Sequence, residues 1–471
     1  MSRLEPVLLP AAQNLSIINR RFKDAYLLVF AAVFHLIVTV SILIASRFGF
    51  LSAVFDERGL GASFASDTRI YFENVLELIE ILRSDGWAAW FGASFPSHTK
   101  LYSLSVAAFG PLVGYNILAV EPVNLVCYLA ILAVVFKLGR EVFSPGVGLV
   151  AASVVGLWPS LLLHTTQVLK DPIFLASLLS LILLGAGWLT RSLTISQGLV
   201  SSILTGALVI VLWVIKPDSW ELVLIVGVMS ATFVLLRSIT TRIFSGNAIA
   251  ATSLVIALLI VPFSVSRYYR PYSSPTEKAK QAKRNESTGV AQREIKVINP
   301  PSPLSNRLTR LRERITWTRY LYEVYPVKGS NIDGDVRLET WGEIFRYLPR
   351  ATVIGFFAPF PNLWIGSGAQ VGRSGRLIAG GETLAMYVAY FLAAISLWLR
   401  RRKLAVWFLI LIASCGAVAL SLVIVNVGTL YRLRFPFWIL LIVVAVNGGF
   451  ELFGVLRARS VANLPVNSSA P

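Results

Sequence analysis

Asp67 and Tyr71 stand four residues apart in SDTRIYFENVLELIEILRSDGW (66–87), so one helical turn puts both on the same side. A carboxylate at that position either accepts a proton from a hydroxyl or caps the helix it opens, and the sequence leaves both roles standing. Lys170 and Asp171 lie together just before Pro172, in a very short turn between two apolar runs. Asp171 there is suited to hold a metal, to orient Lys170, to bind an acceptor, or to cap a helix with Pro172 in its first turn. Lys216-Pro217-Asp218 offers the same pair of readings with a weaker claim. In TLYRLRFPFW (429–438), Arg432 and Arg434 lead into the last apolar run. Guanidinium forks at a membrane boundary suit phosphate oxygens, and they equally suit interfacial anchoring.

The elements that position these residues are apolar. Of 471 residues, 55% are hydrophobic and 14% charged, against about 25% charged in a soluble domain; mean hydropathy is +0.68. About 20 apolar residues cross the hydrocarbon core as a helix. Such runs recur at about 25–46, 117–136, 146–166, 172–190, 199–215, 219–236, 247–265, 382–399, 404–425 and 434–453. The expectation is an all-α polytopic membrane protein of about ten spans, which excludes a soluble globular enzyme.

Charge sets the orientation. With the N-terminus in the cytoplasm, Lys137, Arg140, Arg191, Arg237, Arg242, the run Arg400–Lys403, Arg457 and Arg459 all fall inside, and so does the C-terminus. The same parity places 47–116, the turn 167–172 and 266–381 outside. Three parts follow: a transmembrane core 1–265 with its first outer loop 47–116, a large basic outer loop 266–381, and C-terminal spans with a cytoplasmic tail, 382–471. Within the first loop, 66–87 is amphipathic and is expected to lie along the outer membrane surface. A second surface helix is expected in 94–116. The stretch 351–366, broken by Pro359 and Pro361, reads as re-entrant or interfacial.

The net charge of +18 raises nucleic acid as a partner, but cytoplasmic loops and one long segment account for it, so no nucleic acid is expected. That segment holds 17 Lys or Arg against 9 Asp or Glu over 266–350. Its RLTRLRERITWTRYLYEVY stretch is suited to anionic lipid or to a solvated face. Asp333 and Asp335 flank Gly334 as in a metal-binding pair or an ordinary turn. His35 reads as a helix–helix hydrogen-bonding residue. HExxH, EF-hand, Walker A and Gly-x-Ser-x-Gly elements are absent from the sequence.

Taken in order, the motifs resemble the GT-C superfamily of membrane glycosyltransferases, in the branch of protein O-mannosyltransferases and the lipid A aminoarabinose transferase. Asp67, Tyr71, Gly86 and Trp87 match an acid opening a surface helix that ends near Gly-Trp. Lys100, Phe109 and Gly110 are similar to the basic element and Phe-Gly of a second surface helix. Leu169–Pro172 looks like the acidic second outer turn, and TLYRLRFPFW like the arginine entry to the last span. The likeness covers about 40% of the chain. It departs from the family at Asp67-Thr68, where a paired Asp-Glu is usual, at VEPVN with Glu121 in place of an arginine, and in lacking a Pro after Lys100.

The resemblance implies transfer of a sugar from a polyprenyl-phosphate donor to a lipid, glycan or protein acceptor at the outer face, in a bacterial inner membrane. Asp67 would be the base, with Asp171 beside it in the catalytic set. Tyr71, Lys100, Lys170, Arg432 and Arg434 would bind substrate, the two arginines as a phosphate clamp. No metal ligands are assigned, no cofactor is certain, and a divalent metal remains compatible with the acids. The alternative is a non-catalytic or polymerase-like component of cell-surface polysaccharide assembly.

Overall fold

The structure is a computed structural model that describes residues 27–50, 54–56, 58–61, 66–241, 246–265, 307–324, 331–366 and 372–462. Arg20, Arg21, Lys23, Arg242 and the basic stretch 278–306 lie outside the described residues.

Nine described helices are long and apolar enough to cross a membrane, and a bent pair brings the number to ten if it counts as one span. The chain is therefore an all-helical integral membrane protein. In chain order the spans are Leu27–Arg47, Ile117–Val142, Asp171–Thr190, Ile195–Ile215, Pro217–Thr241, Gly246–Ser264, Gly372–Arg400, Leu404–Val423 and Phe435–Val455. Polar side chains start several of them. Asn116 accepts from Leu118 N, Ser144 accepts from Val147 N with Pro145 next, and Thr194 with Gln197 closes a capping box.

Two expected spans differ. The third, expected over 146–166, is Pro145–Gly156 followed by Pro159–Thr165, bent by 65°. Pro159 lacks the N–H that would continue the first helix, and it suits the first turn of the second. The eighth expected span, 382–399, is the helix Gly372–Arg400, which begins ten residues earlier and has Glu382 inside it. Glu382 is buried and accepts from both the backbone N and Oγ of Ser160, at 2.7 and 2.6 Å. A carboxylate from one span thus caps the second half of the broken one.

Close packing relies on small residues, as expected where lipid supplies no hydrophobic drive between helices. A Cβ on Gly139 would stand 2.6 Å from Gly148 Cα, and one on Gly448 would collide with the Leu392 carbonyl. The first span is tied in by polar groups. His35 is fully buried, with Nδ1 2.7 Å from Glu121 Oε1 and Nε2 2.9 Å from Thr165 Oγ1, and Thr39 donates to Glu121 Oε2 at 2.9 Å.

Above the first two spans, Ser66–Ser84, Gly86–Gly92 and Ser97–Val113 are helical. Gly86, at φ +79, takes the left-handed conformation between the first two. The apolar face of the first helix is covered by protein. Phe72, Val75 and Ile79 are buried against Tyr102, Val106, Val120 and Val168 in a protein core of their own. Glu73, Glu77 and Glu80 face outward. Residues 341–357 form a 17-residue helix with a Thr340–Glu343 capping box, and Ser421 Oγ donates to its Ala351 carbonyl.

Candidate functional site

Three separate turns converge where the Ser66–Ser84 helix begins. They are the start of that helix, the turn Gln167–Asp171, and the short helix Val427–Leu433 ahead of the last span. A fourth, Lys216–Ser219, closes the group.

Arg432 is the hub. Its Nη2 donates to Asp67 Oδ2 at 3.2 Å, and its Nε lies 3.2 Å from Asp171 Oδ2. The second contact is an ion pair without hydrogen-bond alignment, so Arg432 Nε and Asp171 Oδ2 are buried with no hydrogen-bond partner. Lys216 Nζ donates to Asp171 Oδ1. Lys170 Nζ reaches Asp218 Oδ2 at 3.8 Å, on a carboxylate that is largely exposed. The two turns therefore exchange partners: the Asp171 carboxylate answers Lys216 and Arg432, and Lys170 turns to the next loop. Burial works against charge on Arg432, but Asp171 and Asp67 outweigh it and hold its pKa above the usual arginine value. Burial pulls the Lys216 ammonium down, with Asp171 opposing.

Asp67 and Asp171 differ in access. The Asp67 side chain is 41% exposed and that of Asp171 is 14% exposed. Asp67 lies in the first turn of its helix and meets Arg432 across 365 residues of sequence, so a purely local capping role does not describe it. Tyr71 sits one turn on, with its ring edge-on to His98 at 4.4 Å. Burial first, then Asp67 and Asp171, push its hydroxyl well above the usual range, so it stays a proton donor. Burial, reinforced by Lys170, holds His98 down to about 3.

A buried polar network fixes the second turn behind these charges. Thr68 Oγ1 donates to Gln167 Oε1 at 3.0 Å, and Gln167 Nε2 donates to the Leu163 carbonyl at 2.7 Å. Asn124 Nδ2 holds the Gln167 carbonyl, and the Tyr102 hydroxyl lies 2.6 Å from Asn124 Oδ1 and 3.2 Å from the Leu169 carbonyl. Inward of the charges is a mainly apolar cavity of about 40 Å³, lined by Ser160, His164, Asp171, Lys216, Tyr431 and Arg432 with Phe174, Leu175 and Pro436. His164 Nδ1 is 2.6 Å from the Ser160 carbonyl, which makes Nδ1 the protonated nitrogen.

Two expected site residues stand elsewhere. Arg434 is fully buried, donates to the Gly355 and Ala358 carbonyls, and lies 4.1 Å above the Trp438 ring. Pro359 has no N–H to continue the helix onto Gly355 O, and Arg434 supplies the missing donor. Arg434 is thus a structural tie rather than half of a phosphate clamp. Lys100 donates to the Phe91 carbonyl at 2.8 Å over the Trp90 ring, away from Arg432. The basic helix Arg307–Val324 also spends cations internally: Arg314 pairs with Glu221, and Arg319 donates to the Val336, Asp333 and Leu422 carbonyls. It brings Tyr322 near Thr429 and Arg432, a neighbour that its sequence pattern does not announce. Asp333 is taken by Arg350 and Tyr347.

Among the described residues no group of three or more His, Cys, Asp or Glu is placed to hold a metal ion. The Arg432 guanidinium bridges the oxygens of Asp67 and Asp171.

No family model matches the chain, and no curated protein matches it. Among solved structures, the archaeal oligosaccharyltransferase AglB from Archaeoglobus fulgidus, in complex with an inhibitory peptide and a dolichol-phosphate, is similar at 15% identity with a TM-score of 0.43. The match covers 95% of this chain and 53% of that one, so the chain spans about half the length of that protein.

Proposed function

We propose that the chain is a membrane glycosyltransferase that moves a sugar from a polyprenyl-phosphate donor to a lipid, glycan or protein acceptor. The reading rests on one observation: Arg432 is held between a reachable carboxylate, Asp67, and a sequestered one, Asp171, with Lys216 behind. The buried, unaligned Nε of Arg432 has room in its hydrogen bonding for a phosphate oxygen.

In this scheme the donor phosphate takes the face of Arg432 that Asp67 holds in the free protein, and Asp67 is released toward the acceptor. The acceptor oxygen forms a bond to the sugar's anomeric carbon as the bond from that carbon to the phosphate oxygen breaks. The electron pair leaves on the phosphate, where Arg432 and Lys216 stabilise it. The hydroxyl proton passes to Asp67. Asp171 stays on Lys216 and keeps both cations in place.

The test is transfer by purified, reconstituted protein from a panel of synthetic hexosyl and pentosyl phosphoryl polyprenols. Asp67→Asn is expected to lower transfer by about 10²–10⁴-fold while binding polyprenyl phosphate at least as tightly, because the competing anion is gone. Full activity in that variant removes Asp67 as the base. Carrier binding without transfer by the wild type would favour the polysaccharide-assembly alternative.

A further inference from the structure

The Gly372–Arg400 helix runs from Glu382, bonded to Ser160 beside the site, to Arg400, about 27 Å away at 1.5 Å per residue. At that far end lies a groove of about 470 Å³, a volume that suits a small ligand. Its lining is apolar at Phe143, Val147, Phe450 and Val455 and cationic at Arg400 and Lys403. Phe450 is 48% exposed and Val455 45% exposed.

The charges at the groove are unbalanced. Glu451 takes both Nε and Nη2 of Arg400, so that pair is internally neutral. Arg401 folds back over Trp398, 4.9 Å from the ring, and donates to its carbonyl. Lys403 lines the groove, exposed, with exposed Arg402 next to it. An apolar lining beside uncompensated cations, at the end of a membrane bundle, fits an anion that carries its own hydrocarbon. We propose that this groove binds one acidic phospholipid, its phosphate on the Lys403 side and an acyl chain along Phe450 and Val455. A soluble anion would leave the apolar lining uncovered. A zwitterionic lipid would gain no net attraction, and a second copy of the chain would bring the same cations against these.

The proposal is independent of the glycosyltransfer reading. Its test uses full-length protein, delipidated in detergent and titrated separately with phosphatidylglycerol, phosphatidylcholine and glycerol 3-phosphate. Adducts are read by native mass spectrometry and stabilisation by thermal midpoint. Wild type is expected to retain phosphatidylglycerol over both others. Lys403→Glu should weaken it by about 25-fold, roughly fivefold for each unit of charge. Gly454 lines the groove, and a Cβ there meets nothing within 4 Å, so Gly454→Trp fills the space without a clash at the backbone and should remove the adduct. Lys137→Glu, at an exposed position at the same end but off the groove, should leave it intact. Equal retention of the two phospholipids, equal effects of the two lysine reversals, or glycerol 3-phosphate binding as well as phosphatidylglycerol would each overturn the proposal.

Discussion

Replacing Arg432 by Gln separates holding the fold from holding a phosphate. The contact to Asp67 involves a side chain 41% exposed and is worth about 0.5 kcal/mol. Asp171 is 14% exposed, and a buried carboxylate that loses its sole partner costs about 3–5 kcal/mol. Asp171 keeps Lys216, however, so the loss there falls to about 1–2 kcal/mol. The structural cost of the substitution is then about 2 kcal/mol in all. A bound phosphate, by contrast, loses its forked charged donor, about 2–4 kcal/mol or a 30- to 1,000-fold rise in Kd. Equilibrium unfolding in mixed micelles, with polyprenyl-phosphate binding measured alongside, reads both quantities. In double-mutant cycles, Arg432 should couple to Asp171 more strongly than to Asp67. An unchanged Kd beside the expected loss of stability would make Arg432 a tie between turns and nothing more. A larger coupling to Asp67 would refute the ranking by exposure.

Arg434→Met strands the Gly355 and Ala358 carbonyls and should cost about 2–4 kcal/mol of stability, with the Kd for polyprenyl phosphate unchanged; a tenfold weaker Kd at full stability would return Arg434 to the phosphate site. His98 sets a pH dependence. Its folded value of about 3 lies below the unfolded value near 6.5, so the unfolded chain binds the extra proton between them. Its contribution is fully present above about pH 6.5 and is lost as pH falls toward 3, by at most about 1.4 kcal/mol per unit. The thermal midpoint of wild type should therefore fall more steeply than that of His98→Leu between pH 7 and 4.5, and parallel slopes would contradict the assignment.

The spans were legible because lipid imposes a long, uniform apolar run. The broken third span was signalled by Trp158-Pro159, but its hydropathy is continuous across the bend, and hydropathy alone hides it. The two arginines of TLYRLRF could have been separated. Residues two apart on a helix point about 200° from each other, so Arg432 and Arg434 could not both face one cleft. The partner of Asp171 was not legible. Lys170 is its neighbour in sequence, and Lys216 becomes its partner only when two turns 45 residues apart meet. The amphipathic pattern within 66–87 specifies the Ser66–Ser84 helix, but periodicity does not say whether lipid or protein covers the stripe. Here Tyr102 and Val106 cover it.

The buried His35 has a consequence for how the chain is made. Its partners arrive late, Glu121 being 86 residues and Thr165 130 residues further on. At 5–20 residues per second, the ribosome needs about 4–17 s to deliver the first of them. Throughout that interval the first helix has left the ribosome with an imidazole that hydrocarbon cannot solvate. The Leu27–Arg47 helix must therefore wait, shielded at the insertion machinery, and takes its final seat only after the helices that carry Glu121 and Thr165 are in place.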